Sequence, residues 1–271
     1  MKSSLLFFYC FMLLNGGTLL SQTTKTVNVS AQGTLKNLIS TEETKTVSTL
    51  TVTGTIDAVD IAFLRDKMKV LSILNLSAAD IKSYTGIEGT NTGIFTVYPA
   101  NEMPQYAFYN PIYLSFKPSL TSITLPTTTI SIGTQAFYYC WNLAGTFNIP
   151  ASVKTITDYA FYGCSSISAF AVPNSNTRYS SNTGVLFNKN QDSLLLFPAL
   201  KGGIYTVPAT VKHIGASSFE NCYNVTSIAF PSTITSIGSY AFSYCSGITG
   251  SLTLPSSLKK LGDGAFMAVG I

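Results

Sequence analysis

Hydrophobic and polar positions repeat as one phrase through the second half of the chain. An Ala-Phe pair marks each copy, and its phenylalanines are Phe108, Phe137, Phe161, Phe242 and Phe266, with Ser218-Phe219 as a variant. Three other positions keep a constant offset from these phenylalanines in most copies. They are a proline eleven residues before (Pro126, Pro150, Pro208, Pro231, Pro255), an aliphatic residue five before (Ile132, Ile156, Ile214, Ile237, Leu261) and a cysteine three after (Cys140, Cys164, Cys222, Cys245). Since several independent offsets agree, this part of the chain consists of internal repeats.

The copy around Phe137 indicates how one unit folds. Ile123 and Leu125 alternate with polar residues, which predicts a short strand with one buried face, and Pro126 ends it because proline has no N–H for a ladder. Ile130 and Ile132 are then expected to point inward, and Phe137 to fill the interior. One unit cannot bury its own apolar face, so neighbouring units must stack. We therefore expect a solenoid with parallel strands along one wall and irregular or short helical turns opposite.

One unit is longer and irregular. Phe161 and Phe219 lie 58 residues apart, whereas other neighbours lie 23 to 29 apart. Val172-Pro173 opens this unit, and Phe187 is expected to take the place of the repeated phenylalanine. Residues 188–192 separate two apolar runs and predict a hairpin.

Residues 22–100 lack the phrase and predict a cap at the N-terminal end of the solenoid. The pattern indicates a short helix over 33–39 and a strand over 50–53. Asp57 is placed to cap a helix over 58–68, with Val59, Phe63 and Met68 facing inward, and residues 71–76 read as a further strand. The loop over 83–99 is expected to protrude. An independent small domain is the alternative.

Residues 1–21 are typical of a secretory signal peptide. Lys2 precedes an apolar run of about ten residues, which is too short for a membrane span of roughly 20. Gly16, Gly17 and Ser21 supply small residues for cleavage. No second apolar stretch is long enough to cross a membrane, so an exported protein that does not span the membrane is predicted.

Composition narrows the function classes. Charged residues form only 10% of the 271 residues, against roughly a quarter in an average domain. The net charge is +4 without a basic cluster, which argues against nucleic-acid binding. The single histidine, His213, occupies a variable repeat position filled elsewhere by Ser131, Thr155, Ser236 and Lys260. Because no carboxylate or metal-ligand cluster is present beyond Glu42-Glu43, which read as a solvated turn, we predict no enzyme, no metal and no cofactor.

The repeat cysteines allow two interpretations. Export permits disulfides, and equivalent positions in adjacent coils stack about 5 Å apart, so Cys140–Cys164 and Cys222–Cys245 bridges are conceivable. Two other units use Pro111 and Val269 in the same place, which favours free, buried thiols.

The strand wall is the candidate binding surface, because solenoids bind partners on extended surfaces. The polar residues that flank or alternate with the buried ones would line it, and they are Thr121, Ser122, Thr124, Thr146, Asn148, Ser168, Ser227, Ser251 and Thr253. This wall is rich in hydroxyl groups and nearly uncharged. The tyrosines beside the repeat phenylalanines are expected to pack on the turn side with their hydroxyl groups at the surface.

The units at 123–140, 228–245 and 252–266 resemble BspA-type leucine-rich repeats of bacterial surface proteins. The resemblance covers roughly residues 100–271, and the stretch from Gly184 to Pro198 is similar to that family's longer variant unit. It implies an α/β leucine-rich-repeat solenoid over residues 101–271, with the longer unit at about 173–207. It also implies export, and for some members adhesion to host proteins.

We therefore expect a secreted or cell-surface, non-enzymatic repeat protein that binds an extracellular or host protein. A structural spacer or stalk, and an extracellular glycan binder, are the alternatives. The last unit lacks a polar cap after Phe266, which leaves two alternatives. Either the sequence is a fragment, or a partner covers that end, and self-association is one form of such cover.

Overall fold

A computed structural model describes residues 23–270 as a β-solenoid of about ten turns with parallel strands and little helix. The predicted signal peptide lies outside the described residues. The first strands are β1 (Thr23–Val29), β2 (Val47–Ile56), β3 (Ile73–Asn75), β4 (Ala79–Ile81), β5 (Tyr84–Gly86), β6 (Thr96–Tyr98), β7 (Glu102–Met103), β8 (Tyr109–Asn110) and β9 (Ser115–Phe116). The repeat strands are β10 (Ser122–Thr124), β11 (Ser131–Ile132), β12 (Gly145–Asn148), β13 (Thr155–Ile156), β14 (Ile167–Ala171), β15 (Tyr179–Asn182), β16 (Val185–Asn188), β17 (Ser193–Leu196), β18 (Gly203–Thr206), β19 (His213–Ile214), β20 (Val225–Ala229), β21 (Ser236–Ile237) and β22 (Lys260–Leu261).

The N-terminal region is continuous with the repeats. Strands β1, β2, β3 and β10 form one parallel sheet in that order, so the predicted strands over 50–53 and 71–76 join the first regular repeat directly. The predicted helix over 33–39 is a 3-10 helix at Leu35–Asn37, and a second short helix, α1, spans Glu43–Thr46. The continuity fits a cap, and the capping role stays a prediction.

Helix α2 (Ala58–Asp66) begins where the sequence predicts it. The Asp57 carboxylate accepts hydrogen bonds from the N–H groups of Val59 and Asp60, and Asp60 bonds back to the N–H of Asp57. The expected inward face is confirmed in part, because Phe63 is half-buried and packs against the hydrophobic core, whereas Val59 is only half-buried. The buried face comprises Ala58, Asp60, Ile61, Ala62, Leu64 and Arg65, and Met68 just beyond the helix is also buried.

Arg65 explains the orientation of α2. Its guanidinium is almost fully buried and donates hydrogen bonds to the backbone carbonyls of Thr90, Tyr106 and Tyr109. Burial would raise the pKa of Asp66, but the ion pair with Arg65 more than offsets this and lowers it. The arginine thus joins the helix to the segment over 83–99 and to the first repeat, a contact that spacing alone does not indicate.

Each regular repeat makes a wall strand, a two-residue strand and a turn. Ile123, Leu125 and Ile132 are buried as predicted, but Ile130 is exposed. The inward position before Ile132 belongs instead to Thr129, which aligns with Val153, Val211, Ile234 and Leu258 three residues after each proline. Because a residue one position away faces the opposite side of an extended chain, Ile130 points outward.

The repeat phenylalanines stack into two ladders. Phe108, Phe137 and Phe161 have successive ring centroids 5.5 and 5.4 Å apart. Phe197, Phe219, Phe242 and Phe266 form the second ladder, with spacings of 4.6, 4.7 and 5.2 Å. The predicted role of Phe187 is therefore wrong, because Phe197 takes the repeat place.

The hairpin of the long unit explains this difference. β16 and β17 are antiparallel across the turn at 188–192, as predicted, and β15 pairs with β16. Phe187 lies on β16 inside this hairpin, whereas Phe197 follows β17 and donates its N–H to the carbonyl of Ser218 in the next coil. Two hydrophobic clusters meet here, since Leu186 belongs to the first and Val185 and Phe187 to the second.

The four repeat cysteines are buried, free thiols. The Sγ of Cys164 donates to the carbonyl oxygen of Phe137 at 3.1 Å, and that of Cys245 to Phe219 at 3.0 Å. Both of these thiols therefore bond to the preceding coil. Burial raises the pKa of Cys140 and of Cys245 to about 12.

Candidate binding wall

All nine wall residues predicted from the sequence are exposed. Seven of them fall into two rows, which are defined by equal offsets from the repeat prolines and, for neighbouring strands, by strand pairing. The first row lies four residues before the prolines and contains Ser122, Thr146, Ala169, Ile204, Ser227 and Ser251, with Ile73 joined to it by its pairing with Ser122. The second row lies two residues before the prolines and contains Thr124, Asn148, Ala171, Thr206, Ala229 and Thr253, with Asn75 joined to it by its pairing with Thr124. We call these two rows the binding wall.

Four predicted residues stand apart from the regular register. Ser168 lies on a β-bulge, because Gly145 pairs with Ile167 and Thr146 pairs with Ala169. Ala169 therefore takes the row position next to Thr146. Ser251 and Thr253 follow the same offset from Pro255 but lie outside a regular strand. Thr121 precedes β10 and donates its hydroxyl to the carbonyl of Ser72.

Two isoleucines in the first row were missed from the sequence. Ile204 has 76% of its surface exposed and pairs with Ser227, and Ile73 is 44% exposed and pairs with Ser122. Ile204 stands at the same offset from Pro208, at the end of the long unit, and that offset is the signal that could have found it. The named wall positions carry no charge, so the wall offers hydroxyl and amide groups around two protruding aliphatic side chains.

A second exposed surface, which we call the apolar tip, is formed by two neighbouring hairpins. β5 pairs with β6 within the segment predicted as a protruding loop, and β8 pairs with β9. Phe95 between the first pair and Tyr113 between the second are 70% and 72% exposed. Ile94, Val97, Ile112 and Leu114 are also exposed. Apolar patches of this kind commonly mark interaction sites.

The groups considered for chemistry lie apart from one another. His213 is exposed, as predicted, and its Nδ1 lies 2.8 Å from the Oγ of Ser236 in the next coil. Glu43 belongs to α1 rather than to a solvated turn, and the hydrogen bond from Lys25 lowers its pKa to about 2. Across residues 23–270, no three His, Cys, Asp or Glu side chains gather in a way that could hold a metal ion.

No helix in the part of the chain that the structure describes is long and apolar enough to cross a membrane.

Comparisons with known proteins agree with the repeat geometry. A sequence model described as "BspA type Leucine rich repeat region" matches six copies over residues 101–191 and 204–270. A leucine-rich repeat protein from Eubacterium ventriosum superposes with a TM-score of 0.56 at 22% identity, over 80% of this chain and 50% of that one. The pneumococcal vaccine antigen PcpA gives 0.53 at 20% identity, over 82% of this chain and 60% of that one.

These structural likenesses concern the fold, and this chain spans about half to three fifths of those two proteins. A comparison with curated protein sequences found no match. The family model covers more than half of the chain, and its copies coincide with the stacked coils seen in the structure. The chain therefore belongs to the BspA type leucine-rich repeat family.

Proposed function

We propose that this protein is an exported, non-enzymatic repeat protein that mediates protein–protein interaction or adhesion at the bacterial surface. Its partner is an extracellular or host protein, and the binding wall is the contact surface. The observation that carries the proposal is the recurrence of uncharged, mostly exposed side chains at two fixed positions of the coil, which strand pairing aligns in three pairs of neighbouring coils. Such an extended surface is what other solenoids use for binding.

The composition of the wall suggests how it would bind. Its hydroxyl and amide groups supply hydrogen bonds, while Ile73 and Ile204 supply apolar area at separate points of the first row. A typical interface concentrates its binding energy in a few well-packed side chains. Ile204, the more exposed of the two, is the best candidate for such an anchor.

A binding screen against host extracellular and matrix proteins, followed by a pull-down with variants, tests the proposal. Thr146→Glu with Ser227→Glu places two charges in the first row, and these should abolish capture. Thr128→Glu with Ser232→Glu, at exposed positions just after two repeat prolines, is the matched control and should leave capture intact. Equal capture by both variants would count against the wall, and a folded protein that binds none of these partners would favour a spacer or stalk.

Glycan binding is the second candidate, and exposed tyrosine rings on the turn side favour it. Tyr159, Tyr223, Tyr240 and Tyr244 are all exposed there. A glycan array distinguishes this function, because specific binding that is lost on tyrosine substitution and kept in the wall variant would assign the activity to the turn side.

A further inference from the structure

The turns that carry the repeat phenylalanines form a backbone ladder along the solenoid. In the coil of Phe137, the N–H groups of Gln135, Phe137 and Tyr139 donate to the carbonyls of Asp158, Ala160 and Tyr162 in the next coil. The coils of Phe219 and Phe242 make the same three bonds to their successors, from Ser217, Phe219 and Asn221 and from Tyr240, Phe242 and Tyr244. Each such turn therefore donates three N–H groups to the turn that follows it.

Backbone conformation aligns these donors. The residues two before and two after Phe137, Gln135 and Tyr139, have φ values of +54° and +52°. With this alternation every second N–H group points toward the next coil, while the N–H groups of Ala136 and Tyr138 donate within their own turn. The turn of Phe161 has the same conformation, with φ of +57° at Tyr159 and +74° at Gly163. Its three N–H groups consequently point toward the next coil as well.

The turn of Phe161 lacks acceptors for these donors. Phe197 takes the repeat place in the next coil and donates its N–H to the carbonyl of Ser218, but no described carbonyl of that coil accepts from the turn of Phe161. The long unit folds into the β15–β16–β17 hairpin at this point of the solenoid. Among residues 23–270, nothing accepts a hydrogen bond from the N–H of Tyr159, Phe161 or Gly163. On the other side of the gap, the carbonyl of Ser218 accepts from the N–H of Phe197, and only the flanking carbonyls of Ala216 and Glu220 receive no hydrogen bond within that range.

A cavity of about 540 Å³ occupies this gap. Its lining includes the unpaired turn 159–163 on one side and residues 215–218, 220 and 221 on the other, with Phe170, Leu186 and Phe197 among its apolar residues. Ser218 Oγ is buried in this lining and has no partner within the described residues. Phe161 is 7% exposed whereas Phe137 is 0% exposed, so the ring next to the gap is incompletely covered.

The aromatic ladder is interrupted at the same place. Stacked pairs join Phe108 to Phe161 and Phe197 to Phe266, but no ring pair in the described part of the chain joins Phe161 to Phe197. The gap therefore lacks carbonyl acceptors for the turn of Phe161 and an aromatic ring on the open side of Phe161. One short peptide segment supplies both.

We propose that this cavity is a peptide-binding site that takes a short segment with a central aromatic residue, whose backbone completes the interrupted turn ladder. The carbonyls of the bound segment accept from Tyr159, Phe161 and Gly163, and its ring stacks on Phe161. Main-chain pairing of this kind provides affinity, while the ring pocket provides specificity. The site is separate from the binding wall, so its test does not depend on the function proposed above.

Amide hydrogen exchange, measured by NMR on the full chain, tests whether the site is open. In the free protein the amide of Phe161 should exchange at least about tenfold faster than that of Phe137, because only the latter has a backbone acceptor. Equal protection of the two amides would overturn the proposal, since it would mean that the ladder is already closed.

The probe is an acetylated and amidated peptide with the sequence of residues 238–244, which copies an intact turn of this chain. It should bind and slow exchange at Tyr159, Phe161 and Gly163 by at least about tenfold. The same peptide with alanine for its phenylalanine should bind at least about tenfold more weakly, since the buried ring contributes more than about 1.4 kcal/mol. N-acetyl-phenylalanine is the control compound, because it has the ring and a carboxylate but no peptide chain around them. If it bound as tightly as the peptide, the cavity would be a simple anion site and the proposed peptide site would be refuted.

Protein variants locate the binding. Ala216 is exposed at the cavity, and Ala216→Trp should weaken peptide binding at least about tenfold by filling the entrance. Ser239→Trp is the matched control, because Ser239 holds the same position in the next coil, whose turn is already paired, and it should leave the affinity unchanged. Equal affinity of the Ala216→Trp variant and the wild type would place the peptide elsewhere and refute the assignment. If Ala216→Trp does not fold, absence of peptide-dependent protection at Phe161 in the wild-type protein would refute it equally.

Discussion

Lys117 offers a sharp test of how burial controls the stability of this solenoid. Its side chain is 3% exposed, and its ammonium group donates a hydrogen bond to the carbonyl of Met68 after the end of α2. Burial lowers the pKa of Lys117 from 10.5 to about 8, and the charge of nearby Lys69 adds to the effect while Asp66 and Cys140 oppose it. We predict that replacing Lys117 by methionine removes a distinct pH dependence of folding.

The magnitude follows from this pKa. Each pKa unit corresponds to about 1.4 kcal/mol, so holding the charged lysine in the folded protein costs about 3 kcal/mol at neutral pH. Between pH 8 and pH 10.5 the unfolded chain binds more protons at this site than the folded chain does. The contribution of Lys117 to stability therefore becomes more favourable as the pH rises through this window, and the charging penalty is present in full below it.

Urea unfolding of the wild type and of Lys117→Met, followed by circular dichroism at several pH values, measures this effect. The free energy of unfolding of the wild type minus that of the variant should rise by about 3 kcal/mol between neutral pH and pH 10.5. The lost hydrogen bond to Met68 shifts the difference by about 1–2 kcal/mol and leaves its pH dependence unchanged. Lys154→Met, at an exposed lysine, is the control and should give a flat difference. A flat difference for Lys117→Met would refute the reasoning.

Two further predictions concern the repeats. Phe242→Ala should lower the free energy of unfolding by about 3–5 kcal/mol, because it removes a fully buried ring from the middle of the second phenylalanine ladder. Tyr244→Ala, at an exposed position, should lower it by under about 1 kcal/mol, and similar losses for both variants in urea unfolding would contradict a stabilising role of the ladder. The four repeat cysteines should resist iodoacetamide in the folded protein and react fully after denaturation, because the thiolate is the reactive form and burial raises the pKa of each thiol. Two disulfides found by mass spectrometry without reductant would contradict the prediction of free thiols.

Much of the fold follows from local pattern. The constant offsets of proline, isoleucine, phenylalanine and cysteine predict both the coil length and the inward residues, because each of these types suits one local role. Proline ends a strand, and phenylalanine fills the interior. The Asp57 cap and the hairpin turn at 188–192 are equally local signals, and both are present in the structure.

The errors arise where a residue's role depends on a neighbouring coil. Phe187 satisfies the local pattern, but Phe197 meets the Phe219 ring, because the hairpin moves the chain along the solenoid before it turns. Arg65 is polar in the sequence and buried in the fold, since its acceptors come from residues 25 to 44 positions away. Ile204 lies at the end of the irregular unit, where its place in the first row depends on the pairing of β18 with β20.

By itself the sequence determined the family, the repeat length and the exposed polar row, because these depend on spacings within one unit of 23 or 24 residues. Only the tertiary structure decided which turns have a partner. The N–H groups of Tyr159, Phe161 and Gly163 have the same local conformation as those of the other turns. They lack an acceptor among the described residues because the long unit, which follows them, places no carbonyl beside them. Hydrogen bonds between coils join residues that are distant in the chain, so an interruption in the ladder is visible only once the coils are stacked.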